Sequence, residues 1–235
     1  MVKIGILFEH PTSESMSLLE SAPPTLIFRP TQFPRRIGRG SPWTPTGKFV
    51  VVNFPLNTLF GTAYGFRADY VVFPDDFDSG NTNYDILITL ASHQKEALQE
   101  ELKKQFGLTA HAQTRDTDVL LMKVADPAKL QLYRTKGGAY RYYVEKGSGN
   151  NQKLIYRNAG LAVVADGVEV GKPVLDRTGS KEHYDFNFQG TERKGPSIAA
   201  MESALDIWTG QLNQAGLQLV PGREPLEILV VEMAK

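Results

Sequence analysis

The 235-residue chain contains no cysteine. That removes disulfide staples, thiolate catalysis, iron–sulfur ligation and classical zinc fingers together. It leaves the compartment open, because a cysteine-free chain is stable on either side of a membrane. Neither sign of charge is in excess: 26 Lys and Arg balance 26 Asp and Glu. No global field therefore recruits nucleic acid or an anionic membrane, and no nucleic-acid partner is expected. No apolar run approaches the roughly 20 residues of a membrane helix, so no transmembrane segment is expected. Met1–Phe8 has a short apolar burst but no full signal core or small-residue cleavage site, so this chain shows no signal peptide. Histidine is scarce. His10, His93, His111 and His183 stand apart with no metal-ligand spacing, which points to surface or structural roles. There is no Gly-x-Ser-x-Gly elbow and no complete Ser-x-x-Lys set.

What is present is a repeated order of elements. Tyr84-Asp85-Ile86-Leu87-Ile88 reads as a strand, Ser92–Phe106 as a helix, Gly107-Leu108 as its end, and Val119–Val124 as a β-rich tail. The order returns as Tyr184-Asp185-Phe186-Asn187-Phe188, a helical pattern to Ala215, Gly216-Leu217 and Ile228–Met233. The helices follow from apolar spacing: Leu98, Leu102 and Phe106 fall four apart, as do Met201, Leu205 and (three on) Trp208 with Leu212. Ser92 is placed to cap the first helix, and the glycines to end both. Polar turns at Thr114–Asp118 and Pro221–Glu224 predict that each tail is a hairpin. A repeat of this length predicts an α+β chain of two similar tandem modules, each with two helices on short, mostly antiparallel sheets. The expected limits are a polar N-terminal arm over 1–24, a first module over 25–145 and a second over 146–235. The boundary rests on the run Lys146-Gly147-Ser148-Gly149-Asn150-Asn151.

Chemistry is harder to find. Asp75, Asp76 and Asp78 sit in one loop but lack the spacing and terminal glutamate of a calcium loop. Asp85 and Asp185 are the acids at matching repeat positions, where a strand-edge aspartate that holds a turn is the commoner explanation. No catalytic residue, metal or cofactor is assigned. Two stretches are candidates for binding. Arg35, Arg36 and Arg39 with Trp43 lie in a Gly- and Pro-rich loop that could hold an anion on amides and guanidinium groups. Tyr140, Arg141, Tyr142 and Tyr143, between Arg134, Lys136 and Lys146, form the best aromatic–basic stretch.

Several short patterns together carry a resemblance. Lys172-Pro173-Val174-Leu175-Asp176-Arg177-Thr178-Gly179, Tyr184-Asp185-Phe186 and Gly216-Leu217 with Leu229-Val230-Val231 recur in the second half. Asn53-Phe54-Pro55-Leu56, Ala63-Tyr64-Gly65, Phe106-Gly107-Leu108 and Arg115–Val119 do so in the first. Over about residues 25–235 the chain resembles a soil-associated bacterial family of unknown function, domain of unknown function 3738. It departs in Ser180-Lys181-Glu182-His183, where the family often has a shorter link, and in a longer last helix. Each half also resembles the small N-terminal module of secretins and TonB-dependent receptors. The resemblance implies a periplasmic or secreted setting and supplies no catalytic residues. Such modules meet other proteins through strand edges or helix faces, so the leading expectation is a non-enzymatic interaction or sensor module with a protein partner or envelope component. The alternatives are a hydrolase or carbohydrate-active enzyme using Asp85 or Asp185 in an inter-module cleft, and a small-ligand or anion binder at Arg35–Trp43. The oligomeric state is left open.

Overall fold

Alternating and β-branched runs become strands here, and the four-residue apolar spacing becomes helix, in a computed structural model. It describes residues 4–9, 16–33, 39–40, 46–75, 77, 82–146, 152–168, 170–190 and 198–234. The protein is α+β. It forms two compact units, Met1–Thr114 with Glu227–Lys235, and Arg115–Leu226. The predicted boundary lay at 145/146. The compact units instead meet the chain at two places, because two long strands each leave one unit and finish in the other.

The first unit begins with helices α1 (Ile4–Glu9) and α2 (Met16–Ser21). Four strands follow in its main sheet: β1 (Leu26–Pro30), β2 (Arg39–Gly40), β3 (Phe49–Phe54) and β5 (Tyr84–Ile88), in the antiparallel order β1-β5-β3-β2. The valine run that makes β3 is buried on both faces. One face, with Phe49 and Val51, packs under helices α3 (Leu56–Tyr64) and α4 (Gln94–Phe106) through Leu59, Phe60, Leu98 and Leu102. The other face, with Val50, Val52 and Leu87, is covered by Leu7, Phe8 and Leu19 from α1 and α2. The polar-looking arm is thus tied down by three apolar side chains, each worth roughly 1.5–3 kcal/mol when fully buried. Gly65 ends α3 at φ 82° and Gly107 ends α4 at φ 64°, as their positions suggested. Ser92 does not cap α4: His93 occupies that place in a left-handed conformation, φ 55°. A 3-10 turn at Ala68–Tyr70 leads into the two-residue strand β4 (Val71–Val72).

Strand β6 (Leu108–Val124) runs unbroken for 17 residues, where a hairpin was expected. Thr114–Asp118 contains no glycine or asparagine, and its residues alternate without a positive φ among them, so nothing forces a turn. β11 (Leu217–Met233) is likewise one 17-residue strand through Pro221-Gly222. In both, the buried residues are the first one and a cluster near the C-terminal end, Val119, Leu120 and Met122 in β6 and Ile228–Val231 in β11, and the middle is more exposed.

The second unit holds helix α5 (Pro127–Gln131), capped by Asp126, then β7 (Arg141–Lys146), β8 (Gln152–Gly160), helix α6 (Leu161–Gly167), β9 (Val174–Asp176), β10 (His183–Gly190) and helix α7 (Ile198–Gln214). Its main sheet has the antiparallel order β10-β8-β7. Residues 133–135 lie along the far side of β10 through the Arg134–Tyr184 bridge and the Thr135 and Tyr133 backbone bonds. Tyr156, Phe186 and Phe188 of the sheet pack under Trp208 and Leu212 of α7 and Val164 of α6. Phe188 and Trp208 meet at 5.3 Å within this core, and the exposed Tyr142 ring reaches its margin 4.9 Å from Tyr156. Both units also carry one short parallel strand: β4 beside Leu229–Val230 of β11 in the first, and β9 beside Leu120–Met122 of β6 in the second.

Candidate functional site

Asp85 and Asp185 share one local geometry. β3 and β5 slip register between Val51 and Phe54, and the residue inside that bulge, Asn53, is left-handed at φ 60°. Its amide donates to Asp85 Oδ1 across the bulge at 3.0 Å. β8 and β10 slip between Tyr184 and Phe186, where Asn158 has φ 51° and its amide donates to Asp185 Oδ1 at 2.8 Å. An asparagine tolerates the left-handed region better than other side-chain-bearing residues, and the carboxylate takes the amide that the bulge removes from the ladder. Asp85 is fully buried and also accepts from Thr31 Oγ1 at 2.7 Å and the Gln32 amide at 3.0 Å. The Arg29 guanidinium lies 3.5 Å away and stacks on the Phe8 ring at 4.5 Å. Both aspartates thus hold bulges. The sequence pointed to the aspartates but not to their asparagine partners, because Asn-Phe-Pro and Asn-Ala-Gly carry no spacing that distinguishes them.

Groups with displaced titration are equally structural. The Lys129 amide, with its ammonium and the Ala128 amide, holds the Asp126 carboxyl below the usual carboxylate range. The guanidinium of Arg177 does the same to Glu224, and Glu224 raises Arg177 in return. Burial raises Tyr84. None of them lines the surface hollows at Gly47 and Gly65, where groups tuned for catalysis would be sought. Two open surface hollows of about 450 and 350 Å³ lie in the first unit. One is lined by Gly47 and His93–Glu96, the other by Gly65, Phe66, Arg67, Tyr70 and Glu227. Among the described residues no three His, Asp or Glu side chains gather for a metal. His111 approaches Glu232 at 3.8 Å on the surface.

Of the predicted binding residues, Arg35, Arg36 and Trp43 lie outside the described residues, as do Asp76, Asp78 and His10. Arg39 falls in β2 opposite Val52. The other stretch is well placed: Tyr140 immediately precedes β7, and Arg141, Tyr142 and Tyr143 belong to it. β7 is the terminal strand of its sheet, and no strand flanks its outer side among the described residues. Tyr140, Tyr142, Tyr143 and Val144 are 52, 46, 42 and 42% exposed, so five consecutive residues offer four large apolar side chains to solvent. Glycines at φ 105° and 119°, Gly137 and Gly138, turn the chain into this strand. Another terminal strand, β1, is half-buried along Leu26–Arg29. An exposed apolar strand edge is what soluble proteins ordinarily blunt with charge, proline or cover.

No curated protein and no solved structure matches the chain. The family described as "Protein of unknown function (DUF3738)" matches residues 57–234, and the chain belongs to that family.

Proposed function

We propose that this protein is a non-enzymatic interaction module that receives a protein partner along the β7 edge. The observation that carries the reading is the exposure of Tyr140, Tyr142, Tyr143 and Val144 on a terminal strand. An extended segment laid against such an edge gains main-chain hydrogen bonds, and alternate side chains then find the tyrosines. The aspartates that a hydrolase would need are engaged with bulge amides, which favours the binding reading over the enzymatic one. The framework is read as two copies of one module. The bulge clamp, the sheet order and the short parallel strand recur in both units, and helix-ending Gly107 and Gly216 stand at matching places. The likeness of each half to the N-terminal module of secretins and TonB-dependent receptors fits this role and carries the extracytoplasmic setting with it.

The test is capture by tagged full-length protein from separate envelope and soluble fractions, beside a Tyr140→Ser, Tyr142→Ser, Tyr143→Ser variant whose fold is checked by circular dichroism. A stoichiometric protein held by the wild type and released by the folded variant supports the proposal. Substrate turnover that disappears with Asp85→Asn or Asp185→Asn would overturn it.

A further inference from the structure

We infer that the β7 edge is self-complementary and pairs with the β7 edge of a second copy of this chain. The inference rests on the reading of β7 as a docking edge and names its occupant. Antiparallel pairing about a two-fold axis through Tyr143 sets each residue opposite the one equally far on the other side. Arg141 then faces Glu145 of the second copy, Tyr142 faces Val144, and Tyr143 faces itself. Both ends become opposite-charge pairs, and both inner positions become aromatic–β-branched pairs, the two cross-strand combinations that stabilise antiparallel sheets. A strand with Arg and Glu exchanged for like charges would be repelled in this register; Arg-Tyr-Tyr-Val-Glu is not.

The neighbouring strand supplies a second argument. Across the β7–β8 ladder Arg141 stands opposite Arg157, a like-charge pair, while Glu145 stands opposite Lys153. Arg157 turns its guanidinium to the carbonyls of Tyr156 and Phe186 at 2.9 and 3.1 Å. Arg141 has no ion-pair partner among the described residues, and a carboxylate arriving from the open side would offset the repulsion. The faces also agree. The Tyr142 ring lies tilted 4.9 Å from that of Tyr156 on the core side of the sheet, so the two-fold joins the two aromatic layers into one. Tyr143 lies on the opposite face with Arg141 and Glu145. The result is a six-stranded sheet, β10-β8-β7 continued by its copy, with an isologous interface that closes at a dimer.

Sedimentation velocity of the full-length protein over a wide concentration range reads the outcome directly. The wild type should pass from the 26.1 kDa chain to twice that mass. Arg141→Glu places like charges opposite each other twice and should weaken the dimer by about tenfold or more. Adding Glu145→Arg to the same chain restores the pairs and should bring the dissociation constant back to near the wild-type value. Amide exchange needs no variant: protection along 141–145 should grow with protein concentration. A wild type that stays monomeric, a single variant that dimerises as well as the wild type, or a double variant without recovery each overturns the self-pairing. If the wild type is monomeric yet the tyrosine-to-serine variant still loses a captured protein, the edge binds a different partner and only the self-pairing falls. If the dimer forms by this edge and no other protein is retained, the docking reading holds with the second copy as its occupant.

Discussion

Asp85 and Asp185 each hold the amide of a left-handed asparagine across a bulge, but their surroundings differ. Asp85 is fully buried and satisfies Thr31 Oγ1 and the Gln32 amide as well, with Arg29 beside it. Asp185 is half-buried, and Asn158 is steadied separately by its side-chain amide, which donates to the Gly138 carbonyl. One motif therefore carries two different loads. In the first unit the carboxylate organises the turn after β1 and the bulge together. In the second, the segment 133–135 takes the far side of β10 with backbone bonds, the Tyr133–Phe186 ring contact and the Arg134–Glu182 ion pair, and without the aspartate carboxylate. The sheet edges differ in parallel: β1 is half-buried, whereas β7 is left in solvent with its tyrosines.

The largest effect should come from Asp85→Ala. It strands the buried Asn53 amide, two part-buried donors and a neighbouring guanidinium, for a loss of about 4 kcal/mol in urea unfolding. A loss under about 1 kcal/mol would show that the clamp is not what holds the first unit's bulge. Gly216→Ala should follow at about 3 kcal/mol, since a Cβ there would stand 2.3 Å from the Asp126 carbonyl oxygen at a φ of 80°. Its counterpart Gly107→Ala meets only the tip of Met233 at 3.9 Å and should cost about 1 kcal/mol, the left-handed backbone alone. Equal losses at the two glycines would mean that backbone conformation, not the packing of the first turn of α5, decides the cost. Asp185→Ala should cost about 1–2 kcal/mol, because one partly buried amide loses its acceptor. A loss matching that of Asp85→Ala would show that burial and the extra donors do not separate the two clamps.

The smallest effect is one of pH. The Lys129 and Ala128 amides and the Lys129 ammonium lower the Asp126 carboxyl in the folded state. A depressed folded value means that the charged cap stabilises above the ordinary carboxylate range and that this contribution is lost as pH falls through the folded value. The melting temperature of Asp126→Asn should therefore lie below that of the wild type at neutral pH, and the gap should close in acid. A gap that persists at acid pH would assign the effect to shape and not to charge.

Much of the secondary structure was legible in local chemistry. Leucines four apart made α4, the valine run made β3, and the glycines at 65, 107 and 216 ended helices, because spacing and backbone freedom act within a few residues. The errors were also local in origin. Thr114–Asp118 and Pro221–Glu224 look like turns in isolation, yet each lies within a continuous strand. In the first unit the Ala234 amide donates to the Gly107 carbonyl, and in the second the Ala125 and Asp126 amides donate to that of Gly216. The ends of both strands are anchored by residues far away in sequence. Ser92 lost the cap of α4 because the chain enters that helix through a left-handed His93. The aromatic–basic stretch at Tyr140–Tyr142 was visible as composition, but its place at an open edge was not.

The sequence alone determined the class of the fold, the repeated Tyr-Asp and Gly-Leu landmarks and the absence of cysteine chemistry, since all three depend on residue identity and short-range spacing. Tertiary structure decided that the two aspartates clamp bulges, that β6 and β11 run unbroken, and that Tyr140–Val144 stands exposed. Each of those depends on which strand lies beside which, and strand neighbours are chosen by burial of distant side chains, which no local pattern encodes.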